Sequence, residues 1–254
     1  SAVRSQHLMA GKSQKIYSTA AKDTKKFVFF SRAILESAKA VGFMPDIIHV
    51  NDWHTAAAAE LLKTDYQADR FFKRTKTLYT IHNLANHGAA GGKNYMAEGI
   101  LKADLINTVS PTYAKEILEP DQGAGLEKIL QKRQNDLYGI LNGIDTNFFN
   151  PATDNLISQK YSLKNLEKKT DNKLALQKQL GWPLDKNIAL VGLISRLVWQ
   201  KGLDLITEKF SKLNCQFVFL GTGEKRYEDA LLNLAKKFPR QFNAQIKFDE
   251  KLAH

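Results

Sequence analysis

The chain has 254 residues, enough for one large domain or two of ordinary size. With 43% apolar residues and no apolar run near the ~18 that a membrane helix needs, the composition is that of a globular protein with no membrane partner. The formal charge of +11 is spread along the chain rather than concentrated, so nucleic acid is not an expected partner. The first residues carry charge without an apolar core, which predicts no signal peptide, and the single Cys215 excludes an internal disulfide. We therefore expect a cytoplasmic protein.

The first half of the sequence alternates short apolar runs with helical patterns. Strands are predicted at residues 47–50, 77–81, 105–109 and 137–141. A helix is predicted from about His54 to Lys63, and Pro111 is placed to occupy the first turn of another helix. Strands that alternate with helices and are buried on both faces predict a parallel α/β sheet.

The second half repeats this alternation after a polar crossing segment. Residues 145–172 combine an Asn-Pro step with many short polar side chains, which indicates a passage between domains. Beyond it, strands are predicted at 188–194, 217–220 and 244–248, and helices at 203–213 and 227–238. The sequence therefore predicts two α/β domains, residues 1–150 and residues 151–254.

Polar and aromatic residues follow the first predicted strand, in the run Asn51-Asp52-Trp53-His54-Thr55. In open α/β sheets, ligands bind beyond the carboxyl ends of the strands. Asp52 would there accept hydrogen bonds from sugar hydroxyls, while Trp53 offers a flat apolar face to a pyranose ring. The residues alone support equally a helix start in which Asp52 caps the helix and Trp53 packs. His49, on the strand itself, is interpreted as a core histidine with satisfied hydrogen bonds.

The run Thr80-Ile81-His82-Asn83-Leu84 ends another predicted strand. An exposed His82 and Asn83 would make a polar site able to bind a hydroxyl or orient a phosphate leaving group. The alternative is a loop histidine without a role. Asn142-Gly143, after the fourth strand, is by itself only a turn signal.

Two cations follow the strand predicted at 188–194, in the run from Ser195 to Gly202. Arg196 and Lys201 at a strand-to-helix junction predict an anion site, because arginine binds a phosphate through two donors and lysine adds a point charge. The alternative is a pair of solvated surface cations. Gly221-Thr222-Gly223 follows the next strand. The glycines there would let the backbone approach a nucleotide closely, and the alternative is an ordinary turn.

The sequence contains no Asp-x-Asp motif, the arrangement that holds a divalent metal against a diphosphate. It also contains neither a G-x-G-x-x-G fingerprint nor a Walker lysine motif. A nucleotide-sugar enzyme of this sequence would neutralise its leaving diphosphate with side-chain cations, which Arg196 and Lys201 can supply. We expect no metal and no other cofactor.

Many of these segments occur in the order and spacing of one enzyme family. The matching runs are residues 27–33, 45–55, 80–84, 103–104, 108–114, 125–127, 139–145, 150–154, 195–204, 221–223, 249–250 and 252–254. From about Lys26 to His254 the sequence resembles the bacterial glycogen synthases and plant starch synthases. Jointly the runs are specific to that family, although no single run would be.

The resemblance implies a retaining glycosyltransferase of the GT-B type, with two Rossmann-like parallel-sheet domains. In that family the first domain mainly holds the acceptor glucan, and the second mainly holds the nucleotide sugar. The implied reaction transfers glucose from ADP-glucose, the donor expected for a bacterial member, to the non-reducing end of an α-1,4-glucan. The implied partners are therefore a nucleotide sugar and an α-glucan.

Matched motif by motif, the resemblance also implies roles for individual residues. The implied catalytic residues are His82, beside the scissile bond, and Arg196 and Lys201, on the leaving diphosphate. The implied substrate-binding residues are Asp52, Trp53 and Asn142 on the glucose and acceptor side, and Gly221, Thr222 and Phe248 around the nucleotide, with the Phe248 ring stacked on the base.

Two segments of the family pattern are not found in this sequence. One is a K-T-G-G-L loop whose lysine and glycines surround the donor phosphates, and the other is an E-P-C-G-L segment whose glutamate is required for transfer. Both predicted domains are therefore expected to be incomplete. Losing even one donor that stabilises transition-state charge costs ~10²–10³ in rate, so the chain by itself is expected to be inactive.

Two alternative functions stay open at this point. One is a non-catalytic fragment that still binds glucan or nucleotide. The other is a different GT-B hexosyltransferase, which would keep the Arg-x4-Lys pair but should lack the Asp-Trp-His-Thr and His-Asn-Leu-Ala runs. Both runs are present here, beginning at Asp52 and His82.

Overall fold

A computed structural model describes Tyr17 and residues 19–254. The described chain divides into two compact units, with the boundary between Gly143 and Ile144. Each unit is built on its own parallel sheet, so the prediction of two α/β sheets is confirmed. Within the described residues, no helix has both the length and the apolar character needed to cross a membrane.

The first unit is a four-stranded parallel sheet with helices between its strands. Its elements are α1 (Ala20–Ala40), β1 (Ile47–Asn51), α2 (Asp52–Lys63), β2 (Lys76–Ile81), β3 (Ala89–Ala90), β4 (Lys93–Asn94), α3 (Tyr95–Lys102), β5 (Leu105–Thr108), α4 (Pro111–Glu116), α5 (Pro120–Gly123), α6 (Glu127–Lys132) and β6 (Leu137–Gly139). The sheet has the order β1-β2-β5-β6, while β3 and β4 form a separate antiparallel pair. As predicted, Pro111 lies in the first turn of its helix, which Ser110 caps.

Most of the buried side chains of this sheet lie on one of its two faces. Val50, Tyr79 and Ile106 are at most 2% exposed, because they pack on the core that helices α2, α3 and α6 complete. Ile47 and Leu105 point to the opposite face and are 62% and 46% exposed. The expectation of burial on both faces therefore fails at β1 and β5, whose residues on this second face are exposed or half-buried.

His49 lies on the second, more exposed face of the sheet. The prediction that it is a core histidine is therefore wrong, because its side chain is exposed. Its Nε2 lies 2.6 Å from Thr80 Oγ1, and Thr80 Oγ1 donates to Asn107 Oδ1 at 2.6 Å. Partial burial, followed by the proximity of His82, lowers the pKa of His49 below its ordinary value. His49 therefore has its hydrogen bond without being buried.

The second unit is a three-stranded parallel sheet. Its elements are α7 (Lys169–Gln179), β7 (Ala189–Ile194), β8 (Cys215–Leu220), α8 (Lys225–Lys237), β9 (Phe242–Gln245) and α9 (Glu250–Ala253). The order is β7-β8-β9, and β8, between its two neighbours, is almost wholly buried. The core combines Phe217 and Phe219 with Leu231 of α8 and the stacked ring of Phe242.

Two predicted elements of this unit differ in the structure. The helix predicted at 203–213 is wrong, since two short 3-10 turns, Leu203–Leu205 and Glu208–Lys212, replace it. Between them Ile206 is extended, and the Thr207 side chain caps the second turn, because a β-branched threonine competes well as a cap and poorly as a helix interior. The last strand begins at Phe242 and not at residue 244, because the buried Phe242 pairs with Phe217.

Candidate functional site

The carboxylate of Asp52 ties two loops of the first unit together at the carboxyl ends of β1 and β2. Its Oδ1 accepts the backbone N–H of His82 at 2.8 Å and that of Asn83 at 3.3 Å. Neither of the two alternatives weighed for Asp52 describes this arrangement, because the carboxylate caps the neighbouring loop and not its own helix. The loop that presents His82 is therefore held by a charged acceptor.

A sharp turn from β1 into α2 positions this carboxylate. Asp52 has a φ of 48°, a left-handed conformation that aspartate tolerates better than most residues. Asn51 stays extended, and the Thr55 hydroxyl bonds to both the N–H and the C=O of Asn51. The chain therefore reverses within one residue, which directs the Asp52 side chain towards the end of β2.

The imidazole of His82 is held by a residue that sequence reasoning did not select, Asn51. The His82 Nε2 lies 2.9 Å from Asn51 Oδ1. The Asn51 side-chain amide and the imidazole are thus within hydrogen-bond distance, with the donor and the acceptor set by the tautomer of the ring. Asn51 pairs in register with Thr80, two residues before His82, so it is the pairing of β1 with β2 that brings the two side chains together.

Trp53 is buried, being only 5% exposed, so its ring has no free face for a pyranose. The Phe27 ring meets it edge-on at 5.0 Å, the His54 ring stacks at 4.4 Å, and Gly88 leaves room for it, because a Cβ there would lie 2.1 Å from the indole. Of the two interpretations of Trp53, the structure favours packing. Burial lowers the pKa of the neighbouring His54, whose Nε2 lies 3.0 Å from the Tyr17 hydroxyl.

Asn142 follows the last strand of the sheet of the first unit. Strand β6 ends at Gly139, and the last sheet hydrogen bond runs from the Ile140 N–H to the Thr108 C=O at 2.8 Å. Asn142 follows in an exposed irregular segment. Among the described residues it forms no hydrogen bond to Asp52 or His82, so the structure does not join it to them.

In the second unit, the loops that follow β7 and β8 run side by side beyond the sheet. The Ser195 N–H donates to the Leu220 C=O at 3.1 Å, and the Leu197 N–H donates to the Thr222 C=O at 2.9 Å. The Glu224 N–H then donates to the Leu197 C=O at 2.8 Å. Arg196 therefore projects from a loop whose backbone is fixed on both sides.

Gly221 and Gly223 are required by this close approach of two backbones. A Cβ on Gly221 would lie 1.8 Å from the Ser195 carbonyl oxygen, and one on Gly223 would lie 2.2 Å from the Leu197 carbonyl oxygen. No side chain fits at either distance, because the obstacle is main chain. The ordinary-turn interpretation of this run is therefore incomplete.

A cavity of about 250 Å³ opens at the carboxyl ends of β7 and β8. Its walls are formed by Ile194, Ser195, Arg196, Leu220, Gly221, Thr222, Lys247, Phe248, Asp249 and Ala253. Phe248 is 93% exposed, so one face of its ring is available to a planar ligand. Four of the residues selected from the sequence thus meet around one cavity: Arg196, Gly221, Thr222 and Phe248. Lys201, which does not line it, is exposed in the short turn Trp199–Lys201.

Within the described residues, no group of three or more His, Cys, Asp or Glu side chains is arranged to hold a metal ion.

Two α/β units, each on a parallel sheet, are typical of GT-B glycosyltransferases, and solved structures of that class share this fold. The catalytic domain of starch synthase IV from Arabidopsis thaliana, solved with ADP and acarbose bound, matches 96% of this chain and 56% of its own with a TM-score of 0.86 and 32% identity. The Anabaena protein Alr3699/HepE, solved with UDP, matches 87% of this chain and 52% of its own with a TM-score of 0.52 and 17% identity, a likeness of fold alone.

Sequence comparison leads to one family within that class. The profile of starch synthase catalytic domains matches residues 2–132. The chain is 42% identical over 252 residues to the glycogen synthase of Thermosipho melanesiensis and 44% identical over 252 residues to that of Thermotoga maritima, which covers 89% of this chain and 52% of each relative. The chain belongs to the glycogen/starch synthase family of glycosyltransferases, and it spans about half the length of these curated relatives.

Proposed function

We propose that this chain forms part of a retaining glucosyltransferase that moves glucose from ADP-glucose to the non-reducing end of an α-1,4-glucan. The observation that carries the proposal is the cavity bounded by Arg196 and by the Gly221-Thr222 backbone at the carboxyl ends of two parallel strands. That position is where open α/β sheets bind nucleotides. Membership of the glycogen/starch synthase family supports the glucan as acceptor.

The donor diphosphate is bound by the loop that follows β7. The guanidinium of Arg196 offers two parallel donors to phosphate oxygens, and the backbone behind it is fixed by hydrogen bonds to the β8 loop. Lys201, five residues on, adds a point charge. These two cationic side chains stabilise the negative charge that develops as the diphosphate leaves.

The base of the nucleotide occupies the cavity. Phe248 stacks on it with the exposed face of its ring, and Gly221 and Thr222 border the sugar-phosphate. The large apolar share of the walls, with Ile194, Leu220 and Ala253, favours a planar base.

The glucose side of the reaction is assigned to the first unit. His82 contacts the donor glucose beside the scissile bond, and Asp52 holds the His82 loop through two backbone hydrogen bonds. Trp53 contributes by packing beneath that loop, and Asn142 lines the acceptor side. The family resemblance supports these roles, and the Asp52 contact supports the position of His82.

Two other functions compete with this proposal. A fragment without catalysis would bind nucleotide or glucan and transfer nothing. A different hexosyltransferase would prefer another donor, such as a uridine nucleotide, and titration with ADP and with UDP distinguishes it.

Isothermal titration of the purified chain with ADP tests the donor site. We expect Arg196→Ala to weaken ADP binding by tenfold or more and Arg196→Lys to recover only part, because an ammonium cannot replace the planar fork. Arg240→Ala is the matched control, since Arg240 is an exposed arginine of the same unit. Undiminished ADP binding in Arg196→Ala would show that this residue is no phosphate ligand.

Transfer of radiolabelled glucose to glycogen tests the reaction. From the 254-residue chain by itself we expect none, because its sequence contains neither the K-T-G-G-L nor the E-P-C-G-L run. Transition-state stabilisation should suffer more than ground-state binding, so ADP affinity should persist where turnover does not. Clear turnover by this chain would contradict the importance given to those two runs.

A further inference from the structure

One tryptophan of the second unit is exposed in the loop that carries the two candidate phosphate ligands. The chain has three tryptophans. Trp53 and Trp182 are each 5% exposed, whereas Trp199 is 62% exposed. Trp199 lies between Arg196 and Lys201 in the sequence but does not line the cavity assigned to the base. Neither phosphate binding nor base stacking therefore accounts for an indole at this position.

The backbone that carries the Trp199 ring is fixed. Its N–H donates to Glu224 Oε1 at 3.4 Å, and its C=O accepts the Gly202 N–H at 3.0 Å. Leu197, two residues earlier, is fully buried and paired with the β8 loop. An exposed aromatic ring on a fixed turn offers a preorganised contact surface at little cost in conformational entropy.

A carboxylate and a guanidinium lie beside the turn that carries the ring. Glu224 Oε2 accepts from Arg226 Nε at 2.9 Å and lies 2.8 Å from Arg226 Nη2, with which it forms an ion pair. Both side chains remain accessible to solvent, and together they present acceptor and donor groups beside the turn. Trp199, Glu224 and Arg226 are called the Trp199 platform below.

We propose that the Trp199 platform binds a pyranose ring of the α-glucan, with the sugar stacked on the indole and its hydroxyls bonded to Glu224 and Arg226. A neutral sugar suits this surface, because the flat apolar side of a pyranose matches an aromatic face and its hydroxyls both donate and accept. A phosphate suits it poorly, since the Glu224 carboxylate would repel it and already engages Arg226. This inference rests on the proposed function, because α-glucan is the acceptor of that reaction.

Maltoheptaose titrated into the full 254-residue chain is the test. Intrinsic tryptophan fluorescence should change on binding, and the change should vanish in Trp199→Phe while it persists in Trp182→Phe, the matched control. Affinity electrophoresis in gels that contain glycogen gives the binding constant without a fluorophore. There Trp199→Ala should weaken binding about tenfold, the usual cost of losing an aromatic anchor, whereas Trp199→Phe should lie within about threefold of wild type.

The outcomes separate this inference from the proposed function. Unchanged glucan affinity in Trp199→Ala, or no glucan binding by the wild-type chain, overturns the platform. ADP titration of Trp199→Ala is the second readout, and it should match wild type because the ring does not line the base cavity. Loss of ADP binding in Arg196→Ala together with unchanged glucan binding in Trp199→Ala would leave the donor site standing and remove only the platform.

Discussion

Asp52 and His82 are 30 positions apart in the sequence, yet the Asp52 carboxylate accepts the His82 backbone N–H at 2.8 Å. The contact exists because β1 and β2 are parallel neighbours whose carboxyl ends meet at one edge of the sheet. It connects a strained residue, Asp52 with its positive φ, to the loop that presents the candidate catalytic imidazole. Backbone strain retained at such a position suggests a functional reason for keeping it.

Replacing Asp52 by alanine should loosen the His82 loop. The change removes two charge-assisted hydrogen bonds and leaves a β-carbon in a left-handed conformation without the side-chain bonding that favours aspartate there, so we expect a loss of about 2 kcal/mol in the free energy of unfolding. Urea denaturation measures the loss. Hydrogen exchange should show faster exchange at the amides of His82 and Asn83 in particular.

The variant Asp52→Asn distinguishes the effect of the carboxylate charge on stability from the effect of the backbone conformation at this position. Asparagine tolerates the same φ and keeps an acceptor oxygen, so we expect less than half of the alanine effect on stability. Asp121→Ala, at an exposed position of the same unit, is the control and should leave both measurements unchanged. Equal amide exchange in wild type and Asp52→Ala would show that the carboxylate does not hold this loop.

Gly223→Ala should destabilise the second unit and weaken ADP binding. Its Cβ would meet the Leu197 carbonyl oxygen at 2.2 Å, which forces apart the two loops that position Arg196. Overpacking against main chain costs about 1–3 kcal/mol. Chemical denaturation and ADP titration are the two measurements.

Gly192→Ala is the matched control for that substitution. Gly192 lies in β7, and a Cβ there would have no atom within 4 Å. Because alanine has less conformational entropy to lose than glycine, this variant should be neutral or more stable by about 0.5 kcal/mol. Two variants of equal stability would contradict the close approach of the two loops.

Arg133→Ala should destabilise the first unit. The guanidinium donates to the carbonyl oxygens of Ile100 and Leu101 at 2.7 and 2.9 Å and to that of Ala103 at 2.8 Å, which satisfies the end of α3. We expect a loss of about 2–3 kcal/mol, and for a chain of this size each kcal/mol lowers Tm by roughly 2–4 °C. Thermal denaturation followed by circular dichroism gives the shift, and the exposed Lys132→Ala should not move it.

Asp104 should make the stability of the first unit sensitive to acid. Burial raises the pKa of this carboxyl, but hydrogen bonds from Lys63 and from the Thr77 N–H and hydroxyl outweigh burial and bring the pKa below its ordinary value of 3.8. A depressed pKa in the folded state contributes stability that is present above pH 3.8 and is lost as pH falls through the folded value.

The pH dependence of Asp104→Asn tests this contribution. The variant should be less stable at neutral pH by about 1–3 kcal/mol, and the difference from wild type should shrink as the pH is lowered below about 4. Urea denaturation at a series of pH values measures both. A difference that stays constant down to pH 2 would show that the Asp104 charge does not contribute to folding.

The sequence by itself determined the parallel α/β character of both units and most strand positions. Strand positions were predictable because a short apolar run followed by a polar turn is a local signal, as at Lys76–Ile81 before His82. The helix predicted at 203–213 was wrong because a local pattern pointed to the wrong structure there. Its apolar spacing was helical, but Thr207 supplied a competing cap that periodicity does not register.

Only the tertiary structure decided which chemistry-bearing residues meet. Three observations depend on strand order and on which face of the sheet the helices cover. They are the contact of Asp52 with the His82 backbone, the contact of Asn51 with the His82 imidazole, and the burial of Trp53. The sequence likewise indicates only a turn at Gly221 and Gly223. The structure shows that both positions also need glycine because the Ser195 loop lies against them. A local pattern records what each residue can do, whereas contacts between residues far apart in the chain follow from the pairing of strands, and no short stretch of sequence encodes that pairing.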